Sequence, residues 1–283
     1  MKKLFPAVAA YAFLMVFSTF MLSAQPKGHL VIIGGGERTD EVMNRFFEFA
    51  GGTDAKYLVI SNASKNNGVD FMESLKKYKV NDVQMIIPTR EQCDDLEYVK
   101  ILDGVTGVFF SGGLQTKITD VMRGTKFHER LLKMYEDGAV IGGTSAGAAI
   151  MTDPMLIAKH ATDDPAVKDD DRYKGVKAIK ANYMKVTGGL GFLKGAILDQ
   201  HFLKRLRQNR MLCVALDHPE LTTIGIDEAT ALIVSNGNEI EVMGEGSITV
   251  VNPVKETIRT NRNGYYAADI NFRLLVEGDR LTL

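Results

Sequence analysis

Residues 139–151 read Ala139-Val140-Ile141-Gly142-Gly143-Thr144-Ser145-Ala146-Gly147-Ala148-Ala149-Ile150-Met151. An apolar run leads into a Gly-x-Ser-x-Gly turn, and small residues follow. That is the order of a buried strand, a sharp turn and a helix, the layout of a nucleophile elbow. Such a turn lifts the serine side chain to the top of a sheet and strains its backbone. Gly143 and Gly147 supply the room that this crowding requires. The helix that follows aims its first N–H groups at the point where an oxyanion would form, which makes Ala146 an expected donor. A glycine-rich turn without chemistry needs neither the strand before it nor the small-residue helix after it. A phosphate loop does not fit, because no lysine follows the last glycine.

Upstream of the elbow the same alternation repeats. His29-Leu30-Val31-Ile32-Ile33 is a short apolar strand ending in Gly34-Gly35-Gly36, and 40–50 has helical spacing. Strands are expected at 57–60, 83–87 and 107–110, the last closed by Ser111-Gly112-Gly113. Helices are expected at 69–78, 91–102, 116–122 and 127–135. Apolar strands alternating with amphipathic helices predict an α/β fold with a doubly wound, mostly parallel sheet. Sites in such sheets collect at the carboxyl ends of the strands, where the triple-glycine turn, Gly112, Gly113 and Ser145 all fall. The triple glycine lacks the spacing of a dinucleotide fingerprint.

Downstream, 163–171 is a polar stretch rich in aspartate, read as a solvated loop rather than a cation or metal site. Residues 223–234 and 239–251 alternate like strands about a Ser-Asn-Gly-Asn turn, and 271–283 reads as another strand pair. These make a β-rich C-terminal extension. With 283 residues, 45% hydrophobic, and neither repeat nor linker, one catalytic domain over 25–283 is expected.

A formal net charge of −1 gives no reason to expect a nucleic-acid partner. Cys93 and Cys213 are too few for a disulfide framework. Lys2 and Lys3 precede an almost uncharged apolar run to Met21, and Ser23-Ala24 follows. Residues 1–24 therefore read as a cleaved signal peptide rather than a membrane anchor, which predicts an exported protein.

A serine nucleophile needs a base, and usually an acid to hold that base. Five histidines stand in the chain. His29 begins a strand at its far end, His128 lies among charged residues on a helix, His160 borders the acidic stretch, and His218 precedes Pro219. His201 lies in Asp199-Gln200-His201-Phe202, between a short strand and a helix, and is favoured among its rivals. For the acid, Asp227 and Glu228 interrupt an apolar strand, and an acid so placed must be paired. Neighbouring strand residues point to opposite faces, so only one of the two can face the site, and residue chemistry does not say which.

Taken together, several motifs resemble cyanophycinases. These are the elbow Gly-Gly-Thr-Ser-Ala-Gly-Ala, Phe109-Phe-Ser-Gly-Gly-Leu-Gln115, and Asp199-Gln-His-Phe-x-x-Arg-x-Arg-x-x-Arg210. Gly188-Gly-Leu-Gly-Phe-Leu193 and Gly225-Ile-Asp-Glu-Ala229 belong to the same pattern. The resemblance spans about 30–234 and groups the chain with aspartyl dipeptidases, in a clan whose fold is similar to class I glutamine amidotransferases (flavodoxin-like). It implies Ser145 as nucleophile, His201 as base and Glu228 as orienting acid. It also implies an oxyanion hole from the Ala146 N–H and a Gly112 or Gly113 N–H, and a substrate site lined by Gln115, Asp199, Gln200, Arg205, Arg207 and Arg210. Leu114 stands where the family usually has a polar residue.

The implied activity is exopeptidase cleavage of cyanophycin, a poly-aspartate carrying arginine on each β-carboxyl, to β-Asp-Arg, without metal or cofactor. A homodimer is implied as well. Arginine forks suit carboxylates, although a helix carrying Arg205, Arg207 and Arg210 would otherwise read as a solvated basic face. The alternatives are a dipeptidase acting on short Asp-X peptides, and an amidotransferase-like binding module without turnover. The complete Ser, His and acid set argues against the latter.

Overall fold

Short apolar strands do alternate with amphipathic helices through the first half of the chain. The computed structural model describes residues 25–64, 68–160 and 176–283. The proposed signal segment and the stretch containing Asp163 to Asp171 lie outside them. In order come β1 (His29–Ile33), α1 (Asp40–Ala50), β2 (Lys56–Ile60), α2 (Val69–Leu75) and β3 (Asp82–Ile86). Then follow α3 (Arg90–Asp94), α4 (Leu96–Val99), β4 (Val105–Phe110), α5 (Gln115–Met122), α6 (Lys126–Asp137), β5 (Val140–Thr144) and α7 (Ala146–Ala149). After the hairpin of β6 (Met155–His160) and β7 (Met184–Thr187) come β8 (Ala196–Gln200), α8 (Gln208–Asp217), β9 (Thr222–Ile226) and β10 (Thr230–Ser235). The chain ends with β11 (Glu239–Gly244), β12 (Ile248–Pro253), β13 (Arg259–Thr260), β14 (Tyr266–Ala267), β15 (Ile270–Leu275) and β16 (Arg280–Thr282).

The main sheet has the order β16-β11-β10-β1-β5-β4-β2-β3. From β1 to β3 every pairing is parallel, while β10, β11 and β16 add on antiparallel. Period-2 alternation divides each central strand between two apolar layers. Val31, Ile33, Val59 and Phe109 pack with α1 and α2, whereas Leu30, Ile32, Ile60 and Phe110 pack with α5 and α6. A helix as short as α1 is marginal alone, so its buried Val42, Met43, Phe46, Phe47 and Ala50 hold it on the sheet. Thr39 caps it, its hydroxyl accepting from the Val42 N–H at 3.4 Å.

The expected helix over 91–102 is broken at Asp95, whose extended backbone ends α3 and whose carboxylate then caps α4. A larger departure lies in the C-terminal third. Residues 223–234 are not one strand: β9 belongs to a second sheet, ordered β15-β12-β9-β8, and β10 to the main sheet. The chain crosses between the sheets at 227–229, again between β11 and β12, and again between β15 and β16. The two strands within 271–283 therefore pair with β12 and β11 rather than with each other. Alternation reveals a strand's faces but not its neighbours, which are set by distant residues. The first crossing sits over the carboxyl end of β1, where the Gly34 N–H donates to the Thr230 carbonyl at 2.9 Å.

Candidate active site

Ser145 joins β5 to α7 with φ 54° and ψ −108°, a conformation that costs a non-glycine residue of order 1–3 kcal/mol. Three backbone hydrogen bonds hold it there. Its N–H donates to the Ile33 carbonyl at 3.0 Å, and its carbonyl accepts from Ala148 and Ala149, each at 3.0 Å. The flanking glycines are steric requirements. A Cβ on Gly143 would lie 2.4 Å from the Gly147 oxygen, and one on Gly147 would lie 2.3 Å from the Phe110 oxygen.

His201 follows the last residue of β8, with φ 49° and its N–H donating to the Gly34 carbonyl at 2.7 Å. Its Nε2 lies 2.8 Å from Ser145 Oγ and its Nδ1 lies 2.6 Å from Glu228 Oε1. In the tautomer this arrangement favours, the Nδ1–H donates to the carboxylate and Nε2 accepts from the hydroxyl. Burial, the largest influence, lowers the imidazole below its ordinary 6.5; the Glu228 hydrogen bond opposes it, and Arg205 and Arg207 lower it further. The neutral ring is the form able to accept the serine proton.

The crossing between β9 and β10 decides between the two acids. Asp227 and Glu228 form a turn, not part of a strand, and Glu228 alone reaches the imidazole. Asp227 turns back on the chain, its Oδ1 accepting from the Glu228 N–H at 2.9 Å and the Lys204 N–H at 3.3 Å.

Gly112 closes the other side of the nucleophile: a Cβ there would lie 3.4 Å from Ser145 Cβ and 3.9 Å from Oγ. Among the described residues no protein acceptor takes the N–H of Gly112, Gly113 or Ala146. Behind this loop the buried Ser111 and Ser61 hydroxyls share a hydrogen bond of 3.0 Å. Leu114 is 49% exposed at the start of α5.

The residues expected to grip substrate divide into groups. Gln115 is buried, and its Nε2 donates to the Leu156 carbonyl at 3.1 Å. Asp199 is fully buried; its Oδ1 accepts from Arg207 Nη1 at 3.1 Å, and its Oδ2 from Arg210 Nε at 2.7 Å. Arg210 Nη2 also reaches Asp199 Oδ1, and Arg207 Nη1 donates to the carbonyl of the buried Gln200. Burial lowers the Arg207 guanidinium to about 10 against the pull of Asp199. Arg205 is half-buried. The three arginines do not share a helix, since 202–206 is a series of turns, Arg207 precedes α8 and Arg210 lies within it.

Three of the rival histidines, His29, His128 and His218, are engaged elsewhere. His29 stacks on Phe49 with ring centroids 3.9 Å apart, and its Nδ1 lies 2.9 Å from Ser235 Oγ. His128 is half-buried rather than on the surface, its Nε2 2.8 Å from the Leu190 carbonyl, because α6 packs against 188–193. His160 closes β6, and His218 Nδ1 sits 3.6 Å from Glu220. Cys93 and Cys213 are separate buried thiols, each pushed up to about 11 chiefly by burial. Sequence reasoning missed how closely the triple glycine meets the site. A Cβ on Gly35 would fall within 2.7 Å of three imidazole ring atoms. The signal was three consecutive glycines at a strand's carboxyl end, more than a turn needs.

Known proteins are similar to this chain over most of its length. A cyanophycinase of Geminocystis herdmanii (strain PCC 6308) is 29% identical over 269 residues, spanning 90% of this chain and 93% of that protein. A cyanophycinase of Nostoc sp. (strain PCC 7120 / SAG 25.82 / UTEX 2576) is 28% identical over 271 residues, spanning 91% and 86%. Among solved structures, a peptidase from an acI-B1 actinobacterium superposes with a TM-score of 0.63 at 19% identity, covering 92% of this chain and 98% of the other. At that identity the likeness concerns the fold. The model of peptidase family S51 matches residues 30–242, from β1 into β11 and across all three members of the Ser145–His201–Glu228 row. The chain thus belongs to peptidase family S51 and is a serine-type peptidase.

Proposed function

We propose that this peptidase degrades cyanophycin to β-Asp-Arg, with Ser145 as nucleophile, His201 as general base and Glu228 as the acid that orients it. The reading is carried by the unbroken hydrogen-bonded row from Ser145 Oγ through the imidazole to Glu228, at 2.8 and 2.6 Å. The cyanophycinases cited above supply the substrate. His201 Nε2 takes the hydroxyl proton as Oγ attacks an aspartyl backbone carbonyl. The Ala146 N–H with that of Gly112 or Gly113 receives the oxyanion. The imidazolium, stabilised by Glu228, then protonates the leaving amine, and water attacks the acyl-enzyme by the reverse sequence. Residues 1–24 act as an export signal in this reading, with mature protein beginning near Gln25 outside the cytoplasm.

A fluorophosphonate probe and product analysis by mass spectrometry test it. Covalent labelling at Ser145, release of β-Asp-Arg from cyanophycin, and loss of both in Ser145→Ala are expected. Labelled protein that leaves cyanophycin intact and cleaves Asp-X dipeptides would assign the dipeptidase activity instead. Folded protein that never labels would leave a binding module. N-terminal sequencing of exported material tests the leader, and a full-length protein held in the membrane would refute it.

A further inference from the structure

The triple-glycine loop after β1 does more than end a strand. Gly34 accepts the His201 N–H at 2.7 Å, and Gly35 accepts the Ala229 N–H at 3.0 Å, so one loop ties together the segments that carry the base and the acid. Side-chain contacts run the same way. A Cβ built on Gly36 would sit 2.8 Å from Glu228 Cβ and 3.1 Å from its Oε2. One on Gly35 would sit 2.2 Å from His201 Cε1, 2.5 Å from Nε2 and 2.7 Å from Nδ1. Near-equal distances to three ring atoms place that point over the face of the imidazole, not beyond its edge. The bare Cα of Gly35 is therefore one wall of the slot in which the ring stands.

We propose that Gly35 is a positioning residue of the catalytic row: its backbone walls one face of the His201 imidazole and keeps the ring in line between Ser145 and Glu228. The inference rests on the triad reading above. A ring between two hydrogen bonds can still swing out about its χ angles, and the packed face blocks that movement on the Gly35 side. Any side chain at 35 takes the place of the ring. The imidazole is the movable partner, so the cheapest relief is for it to rotate away, which breaks the contacts to Oγ and to Oε1 together. The fold persists while the row is lost.

The test compares wild type, Gly35→Ala, His201→Ala, the double variant and Gly138→Ala. Gly138 has φ 125°, close to the 115° of Gly35, but an added Cβ meets nothing nearer than Lys27 Cβ at 4.0 Å. It therefore reports backbone strain without the collision. Gly35→Ala is expected to lower kcat and the rate of fluorophosphonate labelling at Ser145 by about 100-fold, the scale of an ångström-sized misplacement. KM should stay within about threefold, because binding is spared. The acidic limb of the labelling-rate profile should move up toward 6.5 as the ring leaves its buried slot. The double variant discriminates further: in a His201→Ala background the collision disappears, so Gly35→Ala should lower Tm no more than Gly138→Ala does. This readout holds even where Gly35→Ala alone folds poorly, since removing the imidazole should then restore its folding. Labelling of Gly35→Ala at the rate of Gly138→Ala, or a Tm loss that His201→Ala fails to suppress, would overturn the proposal. Wild-type protein unlabelled at Ser145 would instead overturn the triad itself.

Discussion

Two carboxylates flank His201 in opposite settings, one against its ring and one two residues before it in the chain. Glu228 keeps 30% of its side chain exposed and meets one partner, the His201 ring. Asp199, two residues before His201, is fully buried and meets two guanidinium groups. A buried ion costs several kcal/mol in desolvation, and only a well-bonded cluster can offset it. Hydrogen bonds from Arg207 and Arg210 engage both Asp199 oxygens, so the carboxylate can sit in a dry interior. In the triad reading proposed above, Glu228 serves a ring that gains and loses a proton each turnover, and it is the more exposed of the two acids. The acid against the ring is thus partly open to solvent, while a dry charged cluster braces the strand end before it. The cluster reaches the residue before His201 through the Arg207 hydrogen bond to the Gln200 carbonyl.

The largest expected effect tests the acid against the ring. Glu228→Gln should lower kcat by about 10³–10⁴-fold with Tm little changed, since a glutamine neither stabilises the imidazolium nor enforces the tautomer. Asp227→Asn, whose partners are backbone N–H groups, should cost far less. The pH profile adds a sign. The proposed triad makes neutral His201 the active form, so kcat/KM of wild type should rise with pH along a limb below 6.5. The Glu228 hydrogen bond raises the imidazole, so Glu228→Gln should shift that limb to still lower pH. A limb displaced upward, or equal losses in the two acid variants, would separate Glu228 from the base.

The buried Asp199 cluster should answer in stability. Asp199→Asn leaves two guanidinium groups buried without a counter-charge, and breaking such a buried cluster costs about 3–5 kcal/mol. Chemical denaturation should show that loss, with activity failing only as the fold does. A folded, stable Asp199→Asn that merely binds substrate poorly would place Asp199 in the substrate site.

This contrast explains which parts of the molecule were legible in the sequence. The elbow at Ser145 was legible because strand, turn and helix are local, and each leaves its mark within 13 residues. The parallel half of the sheet was legible for the same reason. The choice between Asp227 and Glu228 was not, because it depends on a crossing between two sheets, and strand alternation carries no record of which neighbour a strand takes. Family resemblance supplied Glu228 where residue chemistry left both acids open. The arginines were misread as one helix face: their spacing fits a helix, while the left-handed φ of His201 and Leu206 and the pull of Asp199 on both guanidinium groups are tertiary facts.

Dividing the arginines sharpens the comparison. Arg210→Gln and Arg207→Gln each remove one of the two partners of the buried Asp199 and should each lower stability by up to about 3–5 kcal/mol. Arg205, half-buried, should act on substrate instead. If it meets a substrate carboxylate, Arg205→Gln loses a charge-assisted contact of about 1.5–3 kcal/mol, tenfold or more in kcat/KM. Uniform losses of kcat/KM in all three variants at constant stability would return them to one substrate-binding face.

The smallest effect concerns the turn that joins the two halves. Leu206 lies between Arg205 and Arg207, 63% exposed and with φ 51°. A left-handed backbone costs an L-residue about 1–2 kcal/mol, and glycine avoids that cost while losing about 0.5–1 kcal/mol in unfolded-chain entropy. So exposed a side chain gives up little burial when removed. Leu206→Gly should therefore raise stability by up to about 1 kcal/mol, or about 2–4 °C in Tm for a chain of this size. The Asp199 cluster grips the chain on the far side of Leu206 and Gly34 holds the His201 N–H on the near side, so kcat should be unchanged. Faster unfolding in Leu206→Gly would show that the leucine packs more than its exposure implies. A fall in kcat at higher Tm would show that strain at 206, and not the buried brace alone, sets the position of His201.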